Sequence, residues 1–281
     1  MADDRPIGIF DSGVGGLTVA RAIIDLLPGE PIVYFGDTAR SPYGSRPIPE
    51  IRSFAREIAS FLLARDVKML VVACNSIEVA AIEDLTAATG TPVVGVIDPG
   101  VRAAVRATRN RRIGVIGTEA TIASAAYERA VARERHNVTL IPKACPAFVP
   151  HVERGDTTSE ELLGLAREYL LPLVQAGVDS LILGCTHYPL LSGLISLVMG
   201  PEVVLISSAE ETARDVYAAL VQADLLREAV TPPQHAFLCS GDPATFRDIG
   251  GRFLGPEVAD VIGASVEPVD VASTQGGKTW S

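Results

Sequence analysis

The 281-residue sequence predicts an α/β protein of two pseudo-symmetric α/β lobes, each with a mostly parallel sheet flanked by helices, and an active site in the cleft between them. Three observations predict it. Short runs rich in Val, Ile and Leu alternate with helix-length periodic segments, the pattern of buried parallel strands joined by crossover helices. One run occurs twice with a cysteine at its end, as Met69-Leu-Val-Val-Ala-Cys74-Asn75-Ser76 and as Ser180-Leu-Ile-Leu-Gly-Cys185-Thr186-His187. Around these copies the other segments recur in one order, which reads as an internal duplication.

Ile7-Gly-Ile-Phe10 is the first strand, and it breaks into Asp11-Ser12-Gly13-Val14-Gly15-Gly16 before a helix over about 17–27. Glycines there allow a sharp turn, and the helix N-terminus offers N–H groups to an anion. The spacing is not Gly-x-Gly-x-x-Gly, so a dinucleotide is poorly supported, and a carboxylate ligand fits equally well. Ile32-Val-Tyr-Phe35 is the next strand, and its loop over 36–44 carries Asp37 and Tyr43. A helix over about 48–64 leads to the Cys74 strand, a helix over 77–88 follows, and 93–97 is a strand. Asp98-Pro99-Gly100 reads as a turn at the lobe boundary.

The pattern then restarts. Residues 113–116 answer the first strand, 138–141 answer 32–35, and the loop over 146–155, with His151 and Glu153, answers 36–44. A helix over about 159–174 precedes the Cys185 strand, and 203–206 answer 93–97. A helix over 207–222, a strand at 236–240, a helix over 242–254 and a strand at 266–269 are expected to complete the first sheet. Residues from about 272 read as loosely ordered. The first lobe is therefore 1–97 plus 207–281, and the second is 98–206.

A net charge of −10 and a pI of about 4.9 disfavour a nucleic-acid backbone or an anionic membrane as partner. The start, Met1-Ala-Asp-Asp-Arg5, is acidic where a signal peptide needs a basic and then an apolar region, and no apolar run reaches the ~18 residues of a membrane span. A cytoplasmic protein is expected. Cys74, Cys145, Cys185 and Cys239 lack Cys-x-x-Cys spacing and read as free thiols, Cys145 and Cys239 as small buried hydrophobes. With the histidines at 136, 151, 187 and 235 they make no zinc pattern, so no metal is predicted.

Open α/β sheets bind ligands outside the carboxyl ends of their strands, and a pseudo-two-fold would point Cys74 and Cys185 at each other. A strand end before a helix N-terminus is expected to lower a thiol pKa from ~8.5. Two thiolate-forming groups across a cleft suit racemisation: one removes the α-proton, a planar carbanion forms, and the other protonates the far face. His187, two residues after Cys185, and Asp11, at the end of the first strand, are placed to support them. Pyridoxal phosphate needs a Schiff-base lysine, and Lys68, Lys143 and Lys278 do not follow strands into the cleft, so cofactor-free chemistry is predicted.

Phe10-Asp11-Ser12-Gly13-Val14-Gly15-Gly16-Leu17-Thr18, Tyr34-Phe35-Gly36-Asp37-Thr38-Ala39-Arg40-x-Pro42-Tyr43-Gly44, Ala73-Cys74-Asn75-Ser76 and Gly184-Cys185-Thr186-His187-Tyr188-Pro189-Leu190-Leu191 together resemble bacterial glutamate racemases, over nearly the whole chain to about Leu254. The resemblance implies cofactor-independent interconversion of L- and D-glutamate, supplying D-glutamate for peptidoglycan. It implies that Cys74 handles the proton on the D-glutamate side and Cys185 that on the L-glutamate side, supported by Asp11 and His187, with Asp37 and Glu153 as further polar candidates. It implies substrate contacts by Asp11, Ser12, Tyr43, Gly44, Asn75, Ser76, Thr186 and His187. It also implies a homodimer and, for some members, inhibition of DNA gyrase. The family follows its first Cys-Asn with Thr and two small residues, where this chain has Ser76, Ile77 and Glu78. Alternatives are a related racemase acting on aspartate or a hydantoin, and a thiol hydrolase using Cys185 with His187.

Overall fold

The computed structural model describes residues 3–134, 137–229, 231–258 and 260–266, arranged on two parallel sheets. The chain opens with β1 (Ile7–Asp11), α1 (Leu17–Leu26), β2 (Ile32–Gly36), α2 (Ile48–Leu63), β3 (Met69–Val72), α3 (Asn75–Ala88) and β4 (Val93–Val94). It continues with α4 (Ile97–Ala107), β5 (Arg112–Gly117), α5 (Glu119–Ala123), α6 (Ala126–Arg133), β6 (Thr139–Ala144), α7 (Phe148–Glu153), α8 (Glu160–Gln175) and β7 (Ser180–Gly184). After a 3-10 turn at Tyr188–Leu191 come α9 (Ser192–Met199), β8 (Val204–Ile206), α10 (Ala209–Gln222), β9 (Ala236–Cys239), α11 (Pro243–Leu254), a second 3-10 turn at Gly255–Val258 and β10 (Val261–Gly263).

The first sheet has the order β10-β9-β2-β1-β3-β4 and the second β6-β5-β7-β8. Within the first, β2-β1-β3-β4 repeats the order of the second, so the duplication read in the sequence is present as topology. Register sets the site. Phe10 lies opposite Val72 and Asp11 opposite Gly36, so β1 and β3 end nearly level, with the Asp11 turn beside Cys74. Gly117 lies opposite Gly184, which sets the β5 exit beside Cys185.

Strand alternation divides each lobe into two cores. Ile7, Ile9, Met69 and Val71 face α1 and α10, whereas Phe10, Leu70 and Val72 face α2 and α3. In the second sheet Ile116, Leu181 and Leu183 face α7, α8 and α9, and Ile113, Val115 and Ile182 face α4 and α6. With both faces covered, β1, β3 and β7 are buried at every position, which is why they read as unbroken apolar runs. Side chains close the N-termini of three helices: Thr118 accepts from Thr121 N, Ser159 from Leu162 N and Asp242 from Thr245 N.

The structure corrects four sequence expectations. Asp98-Pro99-Gly100 is the first turn of α4, not a turn between elements; a proline is tolerated there because the N–H it lacks has no intrahelical partner. The strand expected at 93–97 stops at Val94, since Ile97 already begins that helix. The loop over 146–155 contains α7, with Pro150 in its first turn. The last strand among the described residues is Val261–Gly263; Val266 lies outside any strand, and the rest of the expected 266–269 strand, like the tail from 272, lies outside the described residues. Among the described residues no helix is long and apolar enough to cross a membrane.

Candidate active site

The carboxyl ends of β1, β2 and β3 face those of β5 and β7 across a cavity of about 260 Å³. That is below the ~300–1,000 Å³ of drug-sized pockets and suits a small ligand. Its wall includes Cys74 and Cys185, together with Ser12, Tyr43, Gly44, Asn75, Ser76, Thr186 and His187. Asp11, Glu153 and Asp37 stand behind that wall.

On one side, Cys74 is the N-cap of α3, in extended backbone. Its Sγ lies 3.5 Å from Ser12 Oγ. Burial and then the Asp11 carboxylate push the Cys74 thiol well above its ordinary value, opposite to the lowering expected from the helix N-terminus. At this depth desolvation exceeds the pull of the helix N-terminus that a strand-end position supplies. Asp11 is itself fully buried: its Oδ2 accepts from Gly16 N at 2.9 Å and Gly13 N at 3.3 Å, closing the β1–α1 turn, while Oδ1 has no hydrogen-bond partner among the described residues. Burial raises the Asp11 pKa, against the pull of His187.

On the other side, Cys185 Sγ lies 3.8 Å from His187 Nδ1, and His187 Nε2 lies 3.5 Å from Glu153 Oε1. Burial works against a charge on His187, yet the pull of Cys185 and Glu153 prevails and raises it to about 10. Glu153 answers in kind: burial opposes its charge, but His187 and the Ser41 hydroxyl, 3.1 Å away, hold it below the usual carboxylate range. Phe253 of α11 packs edge-on against the imidazole, with 6.1 Å between ring centroids. The two thiols thus stand in different fields, one beside a carboxylate and one beside an imidazolium.

Gly15 shows how close the lobes come. A Cβ there would overlap the His187 ring and Thr186 Oγ1, so only glycine lets the β1–α1 turn rest on the Cys185 loop. Asn75 Nδ2 donates to the Tyr127 hydroxyl at 2.9 Å, and Ser76 Oγ lies 3.0 Å from Thr118 Oγ1, two more contacts between lobes.

Asp37 does not reach the cavity. It takes the Tyr43 hydroxyl and Arg40 Nε on Oδ2 and the Ser240 hydroxyl, at 2.6 Å, on Oδ1, so it holds the Tyr43–Gly44 loop rather than a ligand. Glu153 faces a second, neighbouring cavity. The wall also includes Thr118, Glu119 and Val149, which sequence reasoning left out. A signal existed for Thr118, because it directly follows β5, the counterpart of β1; Val149 lay in the stretch read as loop. Cys145 and Cys239 are buried away from the cavity wall, and Lys68 sits at the amino end of β3, where its Nζ meets Glu30 at 2.6 Å.

Two thiols on one amino-acid-sized cavity define a class of protein, and comparison with known sequences agrees. The sequence pattern of the Asp/Glu/Hydantoin racemase family matches residues 8–216. The chain is 56% identical to the glutamate racemase of Parafrankia sp. over 257 residues, 91% of this chain and 93% of the relative. Its fold matches the crystal structure of glutamate racemase RacE1 from Bacillus anthracis with a TM-score of 0.88 and 42% identity, covering 93% of this chain and 97% of that one. It also matches glutamate racemase from Francisella tularensis, solved with D-glutamate, with a TM-score of 0.87 and 35% identity over 94% and 98% of the two chains. The chain belongs to the Asp/Glu/hydantoin racemase family and, within it, to the glutamate racemases.

Proposed function

We propose that the cleft racemises glutamate by proton transfer between Cys74 and Cys185, without a cofactor, and supplies D-glutamate for peptidoglycan in the cytoplasm. The observation that carries this reading is the placement of both thiols on one small cavity, each at the carboxyl end of a strand in a different lobe. Relatives at 56% identity are glutamate racemases, which favours glutamate over aspartate or a hydantoin. A Cys185–His187 hydrolase leaves Cys74 without a task.

In the L-to-D direction the Cys185 thiolate takes the α-proton, and the electron pair stays on the α-carbon as a planar carbanion. Cys74, held as a thiol by burial and by Asp11, delivers its proton to the opposite face. The proton count is unchanged, and the two sulfurs have exchanged states. His187, carrying its proton toward Cys185, offsets the thiolate charge, and Glu153 keeps that imidazole protonated. In the D-to-L direction Cys74 must first become a thiolate. Oδ1 of Asp11, without a hydrogen-bond partner among the described residues, is the acceptor for that proton or for the substrate ammonium. Ser12, Tyr43, Gly44, Asn75, Ser76 and Thr186 offer hydroxyl, amide and backbone donors to the two carboxylates.

The chain crosses between the lobes at the start of α4 and again near 206/207, and these two crossings are where the cleft can open. Assembly as a homodimer belongs to the same reading and is checked by sedimentation. A supercoiling assay with Cys74→Ala separates any effect on DNA gyrase from catalysis. The decisive experiment follows α-proton exchange and inversion of D- and L-glutamate in D₂O by NMR, with no added cofactor. The wild type is expected to exchange and invert both isomers, and Cys74→Ala and Cys185→Ala each to lose inversion. A wild type that leaves both isomers untouched sinks the assignment.

A further inference from the structure

The first turn of α3 follows Cys74 directly, and besides Asn75 and Ser76 it sends a third side chain across the lobes. Glu78 is buried, at 7% exposure, and its Oε2 accepts the backbone N–H of Val96 at 2.5 Å and of Ile97 at 3.0 Å. These are the N-cap and first residue of α4, the helix that opens the second lobe and packs on β7 and β8. A helix leaves its first N–H groups without intrahelical partners, and Val96 has no side chain able to cap them. Glu78 caps them from another helix. Gly95 belongs to the same fit, because a Cβ there would overlap the Glu78 carboxylate.

Burying a carboxylate is costly, and the surrounding core needs no charge for its packing. Asp98 of α4 and Arg133 of α6 act on it in opposite senses, Arg52 of α2 and Arg129 of α6 line the same small cavity, and the Tyr127 hydroxyl is within its field. What that cost achieves is a fixed junction immediately after the Cys74 position.

We propose that Glu78 is a positioning residue that pins the helix beginning after Cys74 to the first helix of the second lobe, and so fixes where Cys74 stands relative to Cys185. The role of the two sulfurs rests on the racemase reading above, but the pin itself does not. Two readouts on the full chain test it: site-resolved alkylation by iodoacetamide, followed by peptide mass spectrometry, and steady-state racemisation in both directions.

In Glu78→Ala, Cys74 is expected to label about fivefold faster while Cys145 and Cys239 keep their rates, and kcat to fall about tenfold or more in both directions with little change in KM, as a displaced reacting group requires. Glu78→Gln keeps an acceptor oxygen for the two N–H groups and is expected to restore both readouts. Gly95→Ala, which retains Glu78 but takes its carboxylate's place, should reproduce the alanine phenotype and serves if Glu78→Ala does not fold. Unchanged Cys74 labelling and kcat in folded Glu78→Ala overturn the pin. So do equal acceleration at all the cysteines, which is general loosening, a Gln variant as impaired as Ala, and failure of both Glu78→Ala and Gly95→Ala to fold. If the wild type does not racemise glutamate, the functional reading fails, and the labelling pattern still decides the pin.

Discussion

Two buried side chains near the thiols, His187 and Glu78, both lower stability as pH rises, in different windows and for different reasons. His187 is raised from 6.5 to about 10 by Cys185 and Glu153 in spite of burial, so its contribution is fully present below about 6.5 and is lost as pH climbs through about 10. Glu78 is raised from 4.5 to about 7, chiefly by burial. Its folded state therefore binds more protons than the unfolded chain between those values, and stability falls as pH rises through them. Thermal melting against pH separates the two. The difference in Tm between wild type and His187→Asn should be largest below about pH 6.5 and vanish above about pH 10, whereas Glu78→Gln should flatten the decline between about pH 4.5 and 7. A His187→Asn difference that grows with pH contradicts the imidazolium assignment. The sign for Cys74 was the one feature of this pair of sites that sequence reasoning inverted. Residue type and strand-end position are written in the sequence, but the depth that makes desolvation exceed the helix dipole depends on the second lobe closing over it.

At the scale of elements, the loop between β2 and α2 is held by a side chain outside the cavity. Asp37 collects the Tyr43 hydroxyl, the Arg40 guanidinium and, from just past the end of β9 about two hundred residues later, the Ser240 hydroxyl. Asp37→Asn exchanges charge-assisted bonds for neutral ones. Since such bonds contribute ~1.5–3 kcal/mol, KM for glutamate is expected to rise about tenfold with a smaller change in kcat. Steady-state kinetics check this, and a pure kcat loss would place Asp37 in the chemistry instead. Asp37 was legible as a polar strand-end residue, but its partner Ser240 was not, because no local pattern announces which late strand joins β2. Strands and long helices were legible wherever periodicity was strong, as in α2, α8 and α10. Two of the misread stretches share one cause: proline and glycine in 98–100 and 146–155 read as punctuation, whereas Pro99 and Pro150 stand in first turns, where helices accept them.

Across the whole molecule, function depends on two lobes that each hold half of the site. Register levels β1 with β3 and β5 with β7, and the absent side chain of Gly15 lets the two halves touch. This was foreseeable from the duplicated cysteine strand, because strands ending alike in two copies of one unit must meet about a pseudo-two-fold. A ligand in such a cleft ties the lobes together and must stabilise the closed fold by mass action, by about 2.7 kcal/mol at a hundredfold excess over Kd. Both L- and D-glutamate are therefore expected to raise the Tm, and aspartate, one methylene shorter, to raise it less. Cys74→Ala should keep a ligand-induced shift while losing inversion, because its hydroxyl and amide neighbours Ser12, Asn75 and Ser76 remain in the wall. Loss of the shift in that variant would mean that the sulfur itself closes the cleft, and binding and chemistry would then belong to one group.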